Sequence, residues 1–146
     1  MTLEEKEMLK KENEEKKKYL RQYRNAKLAA EEIEEEIAEV RRIQMQPAIK
    51  SSDGMPHGTD KRDLSDYAVE IDYLISKLIK ARYKRVKTYN EIYRKIENLE
   101  NEEEKRVLTL RYIKCMEWEE IRKRMNFSLR RIYQIHGNAL KNIKIE

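Results

Sequence analysis

The residues that interrupt helices and close turns are concentrated in one short segment of this chain. Both prolines, Pro47 and Pro56, and two of the three glycines, Gly54 and Gly58, lie close together. Proline cannot continue a helix, glycine weakens one, and the turns of a sheet need such residues. The sequence therefore predicts an all-α protein with a loop over 46–64 and helices on both sides of it.

The segments on either side of this loop each predict a long helix, over 3–45 and over 65–98. Small and apolar residues of the first helix recur at alternating steps of four and three from Tyr19 onwards, which places them on one stripe. Two long helices joined by a loop most simply form an antiparallel hairpin. We expect residues 1–98 to form this hairpin and residues 99–146 to form a separate domain. The stripe of the first helix consists of Tyr19, Tyr23, Ala26, Ala30, Ile33, Ile37, Val40 and Gln44.

The last third of the chain has shorter apolar groupings, which predict three helices. Only Asn126 and Phe127 separate the second of them from Ser128. Asparagine adopts left-handed backbone readily, and serine is a favoured N-cap, so these residues fit a sharp turn into a new helix. Two helices joined this closely cross steeply, as in a helix-turn-helix motif. The three predicted helices cover residues 102–113, 117–125 and 128–143.

The third of these helices carries the residues that we predict to bind double-stranded DNA. In a helix-turn-helix the second helix enters the major groove, where arginine can bond guanine and glutamine or asparagine can bond adenine. The segment 122–144 has seven basic residues and no acidic one, which fits attraction to phosphates. The alternative is that this basic run is only a solvated surface. The predicted contact residues opposite the apolar face are Arg130, Arg131, Tyr133, Gln134, Asn138 and Lys141, with Ser128 as the cap.

The C-terminal segment also carries a family resemblance. It reads NEEEKRVLTLRYIKCMEWEEIRKRMNFSLRRIYQIHGNALKNIK and resembles region 4 of bacterial sigma factors, the domain that reads the promoter −35 element. The matching positions are Leu108, Arg111 and Tyr112, then Glu119, Glu120 and Ile121, the turn Asn126–Phe127, Ser128, the stretch Arg130–Gln134, and Ala139 with Leu140.

This resemblance implies a role for each candidate residue. Arg130, Arg131, Tyr133, Gln134 and Asn138 would face bases. Three further basic residues would lie nearer phosphates: Arg111, Arg122 and Lys141. The chain departs from the family pattern at Arg122, where alanine is usual, and at Asn126, where glycine is usual.

The chain as a whole resembles small phage and prophage sigma-like regulators of Gram-positive bacteria, of the late-gene or autolysin-regulator type. Nothing in residues 1–98 resembles the other sigma domains, so we do not expect a complete sigma factor. The resemblance implies a transcription regulator in the cytoplasm of a bacterial host, and a single cysteine, Cys115, fits a reducing compartment.

Other function classes find little support in the sequence. His57 and His136 are far apart, no glycine-rich phosphate loop or nucleophile–base pair is present, and no apolar run of about 20 residues could span a bilayer. We therefore expect no enzyme activity, catalytic residue, metal, cofactor or membrane partner. RNA polymerase as a partner and a homodimer through the N-terminal helices stay open. Two alternatives also remain: a module that binds polymerase or another sigma factor, and a DNA-packaging recognition subunit like the phage small terminase.

Overall fold

The computed structural model describes residues 1–45 and 61–146, and no described residue lies in a β-strand. The all-α fold, with a long helical hairpin before a C-terminal helical region, confirms the sequence prediction. None of the helices in the described part of the chain is long and apolar enough to cross a membrane. The helices are α1 (Leu3–Leu20), α2 (Gln22–Met45), α3 (Lys61–Glu97), α4 (Glu102–Leu108), α5 (Trp118–Met125) and α6 (Leu129–Asn142).

Both long helices differ from the prediction. The helix predicted over 3–45 is interrupted at Arg21, although the backbone N–H of this residue still bonds the Lys17 carbonyl at 3.0 Å, so the interruption is local. The next helix, α3, begins one turn earlier than predicted, so the loop predicted over 46–64 is wrong at its end. The rest of that loop, with its glycines, prolines and His57, lies outside the described residues.

The chain divides into two compact units, one of residues 27–84 and one of residues 1–26 with 85–146. In the first of these, α2 and α3 pack through an apolar seam, and an ion pair joins Arg82 Nη2 to Glu34 Oε1 at 2.9 Å. The buried residues of this seam are Ala30, Ile37, Leu74 and Leu78, of which the first two belong to the predicted stripe.

The other unit combines both ends of the chain around the C-terminal helices. Its larger core takes side chains from α1, the start of α2, the end of α3, α4 and its continuation, and α6. Lys16 of α1 is buried, and its Nζ donates a hydrogen bond of 2.7 Å to the carbonyl of Leu140. The predicted boundary between residues 98 and 99 is a statement about which part of the chain folds independently, and it stays a prediction. The buried residues of this core are Leu20, Tyr23, Ile92, Ile96, Leu99, Leu108, Tyr112, Ile113, Ala139, Leu140 and Ile143.

The helix predicted over 102–113 changes character after α4. Residues Thr109–Ile113 form a π-helical turn, in which the Lys114 N–H bonds the Thr109 carbonyl at 2.9 Å. Two residues after this turn, Cys115 has a left-handed backbone with φ of 57°. Leu110 and Ile113 are buried, so the wider turn places two apolar side chains in the interior beside Arg111.

Candidate nucleic-acid interface

The link between α5 and α6 is a tight turn with a capped exit. Asn126 has φ 57° and ψ 44°, which is left-handed, and the Phe127 N–H bonds the Arg122 carbonyl at 3.2 Å. The Ser128 hydroxyl oxygen accepts a bond of 3.1 Å from the Arg131 backbone N–H. The turn at Asn126 and the cap at Ser128 are therefore confirmed, and together they fix where α6 begins.

α6 has one buried and one exposed face. Its buried side chains pack against two clusters, and Ile132 and Ile135 lie with Val107, Leu110 and Ile121 beneath the helix. Burying an aliphatic side chain of this size contributes about 1.5–3 kcal/mol, so the apolar face fixes the rotation of α6 about its axis. The opposite face is exposed at every position predicted to contact DNA from α6: Arg130, Arg131, Tyr133, Gln134, Asn138 and Lys141.

The N-terminus of α6 differs electrostatically from those of the neighbouring helices. Acidic side chains occupy the first turns of α1, α4 and α5, where they stabilise the positive end of the helix dipole. The first turn of α6 has no acid and instead carries Arg130 and Arg131. Two positive side chains at a positive helix end favour an anion nearby, and phosphate suits such a position.

Arg131 has partners on two sides. Its Nη2 lies 2.9 Å from the Glu103 Oε2, and its guanidinium carbon lies 5.9 Å from the centre of the Phe127 ring. Both side chains of the ion pair are about half exposed. The role of Glu103 could not be predicted from the sequence, because the two residues are 28 positions apart and no local pattern relates them.

Arg111, predicted near phosphates, is held by neighbours within the fold. Its guanidinium carbon lies 4.4 Å from the centre of the Trp118 ring, and its Nη1 donates to the Met116 carbonyl at 3.0 Å. Only 17% of the Arg111 side chain is exposed. The ring of Tyr133 contacts the same tryptophan edge-on, with the ring centres 5.4 Å apart. Trp118 therefore links the π-helical turn to a side chain of the exposed face of α6. The phosphate role of Arg111 stays a prediction.

Arg122 lies on α5, apart from the exposed face of α6, and it is paired within its own helix. Its Nε donates to the Glu119 Oε1 at 2.9 Å. This hydrogen bond raises the pKa of Arg122 and lowers the pKa of the Glu119 carboxyl. A phosphate contact by Arg122 also stays a prediction, and in this pairing Glu119 would compete for the guanidinium.

A buried polar pair joins α6 to the π-helical turn. The Tyr112 hydroxyl and the His136 Nε2 are 2.8 Å apart, and the His136 ring meets Trp118 edge-on at 4.7 Å. Burial, together with nearby cations, lowers the pKa of His136 to about 4, and burial raises the pKa of Tyr112 to about 12. His136 is therefore neutral near pH 7, and its position is in the interior rather than at the exposed face.

Comparison with known proteins agrees with this geometry over the C-terminal part of the chain. No curated protein and no solved structure gives a significant match to the chain. Residues 101–144 match the family model described as Sigma-70, region 4. The segment that folds as α4, α5 and α6 is thus similar to region 4 of sigma-70 factors, a domain built on a helix-turn-helix.

Proposed function

We propose that this chain is a sequence-specific DNA-binding transcription regulator in which α6 reads bases in the major groove. The observation that carries the proposal is the outward face of α6, where arginine and amide side chains are exposed. The isoleucine side chains on the opposite face of the helix are buried in the core. The match to sigma-70 region 4 over 101–144 supports it. In this proposal Arg130, Gln134 and Asn138 contact base edges, and Lys141 contacts phosphate.

Attraction to phosphates brings the protein to DNA, and base contacts then select the site. The segment 122–144, which has seven basic residues and no acid of its own, supplies the first of these effects. Each phosphate that is neutralised releases counterions, so the affinity for any duplex should fall steeply as salt rises. Arginine, glutamine and asparagine supply the second effect, because their paired hydrogen-bonding groups match guanine or adenine edges.

The finer parts of the proposal rest on the resemblance and the sequence pattern. They are a phage or prophage origin, a place in the bacterial cytoplasm, contact with RNA polymerase, a homodimer through the N-terminal helices, and a role without catalysis. The helical hairpin is long enough to serve as a contact for another protein, which is the reason to test polymerase binding together with DNA binding.

Selection of bound fragments from a random DNA pool, followed by a gel-shift titration at several salt concentrations, tests this function. We expect one sequence to be enriched and to bind more tightly than random duplex, with affinity for both falling as salt rises. A polymerase pull-down on the same sample separates the alternatives. Capture of polymerase without any DNA shift at low salt would contradict the proposal and favour a protein–protein module.

A further inference from the structure

We propose that Glu103 determines how selectively the protein binds DNA, because it holds Arg131 in place on the exposed face of α6. This inference rests on the proposed function. The ion pair between Arg131 Nη2 and Glu103 Oε2, at 2.9 Å, joins the first turn of α4 to the first turn of α6. A negative charge therefore lies within the surface that is to meet a polyanion.

Glu103 differs in its partner from the two acids beside it. Glu102 pairs with Lys105 of its own helix at 3.3 Å, and Glu104 is buried and accepts from the Asn142 amide at 2.9 Å. Of these three acids, Glu103 is the one whose carboxylate reaches a residue predicted to face bases.

The pair leaves Arg131 able to bond a base. A guanidinium has five N–H donors in a planar fork, and the carboxylate of Glu103 takes one nitrogen of it. The Phe127 ring lies near the guanidinium at 5.9 Å and further limits its motion. Arg131 is thus pre-oriented for a base contact, while its charge is partly cancelled for phosphates.

These two effects act differently on random and selected DNA. Binding to random duplex depends on positive charge that is free to neutralise phosphates, so Glu103 weakens it. Binding to the selected site also depends on well-placed hydrogen-bond donors, which Glu103 helps to orient. Glu103 therefore widens the difference between the two affinities.

The test is Glu103→Gln, which keeps the shape of the side chain and removes its charge. Measured by fluorescence anisotropy on a random-sequence duplex, the variant should behave as though one more phosphate were neutralised. The plot of log affinity against log salt should be steeper by about 0.9, and the affinity at about 0.15 M salt should be roughly five-fold higher. The affinity for the duplex selected by the wild-type protein should rise by less.

Glu102→Gln is the matched control, since it removes the same charge from the same helical turn without touching Arg131. It should raise the random-duplex affinity less than Glu103→Gln does. In an Arg131→Gln background, Glu103→Gln should no longer exceed this control. The inference is overturned if Glu103→Gln matches Glu102→Gln, or if it raises random and selected affinities equally. A wild-type protein that binds neither duplex at low salt would instead refute the proposed function itself.

Discussion

Individual side chains in this protein differ in how far their roles follow from sequence. The cap at Ser128 and the left-handed residue at Asn126 could be predicted, because turn and cap chemistry depends on neighbouring residues along the chain. The contacts of Arg131 with Glu103 and of Lys16 with Leu140 could not, because they join residues 28 and 124 positions apart. His136 similarly looks unremarkable in the sequence, yet the fold buries it against Tyr112.

The buried His136 makes stability depend on pH in a defined window. Its pKa is lowered from 6.5 to about 4 in the folded state, so between these values the unfolded chain binds a proton that the folded chain does not. Stability from this residue is therefore present above about pH 6.5 and is lost as pH falls towards about 4. The loss should be about 3 kcal/mol in the free energy of unfolding.

Denaturant titrations of wild type and His136→Asn at several pH values check this prediction. The carboxyl groups titrate in both proteins, so the difference between the two pH profiles isolates the histidine. Wild type should lose more stability than the variant between pH 6.5 and pH 4. Parallel profiles would mean that His136 is protonated as easily in the folded protein as in the unfolded chain.

At the level of helices, amphipathic spacing predicted well where the helices lie along the chain. It did not predict which helices pack together, because that depends on contacts between distant segments. Most of the stripe from Tyr23 to Ile37 is buried as its spacing indicates, and Ile33 within it is half-buried. Apolar side chains of α3 differ in burial, because Ile79 and Val86 are exposed, while Ile92 is fully buried. Periodicity identifies an apolar face, but which part of it meets a neighbour depends on the tertiary fold.

α1 stabilises the end of α6, and a substitution at Lys16 measures how strongly. The last carbonyl groups of a helix lack partners within it, and Lys16 Nζ supplies one to Leu140 in a buried position. Lys16→Met keeps the apolar stem and removes the donor, so it should cost about 1–3 kcal/mol in the free energy of unfolding. Lys18→Met, at an exposed site on the same helix, should cost little. Equal losses in the two variants would show that this hydrogen bond contributes nothing specific.

For the whole molecule, the all-α class followed from the positions of the prolines and glycines, and the helix-turn-helix followed from the residues of the turn and the cap. The grouping of residues 1–26 and 85–146 into one compact unit did not, since it depends on apolar contacts between the two ends of the chain. Leu20 and Tyr23 share a core with Leu140 and Ile143. The segment that resembles sigma region 4 is thus packed on helices from outside the match.

The exposed face of α6 is proposed to read DNA, and the affinity of point variants for the selected duplex measures whether it does. Arg130→Ala and Gln134→Ala should each weaken binding by about 1–3 kcal/mol, with reduced discrimination against random duplex. Arg41→Ala, at an exposed position of α2, should bind nearly as wild type. Wild-type affinity and discrimination in both α6 variants would mean that this face of α6 does not read DNA.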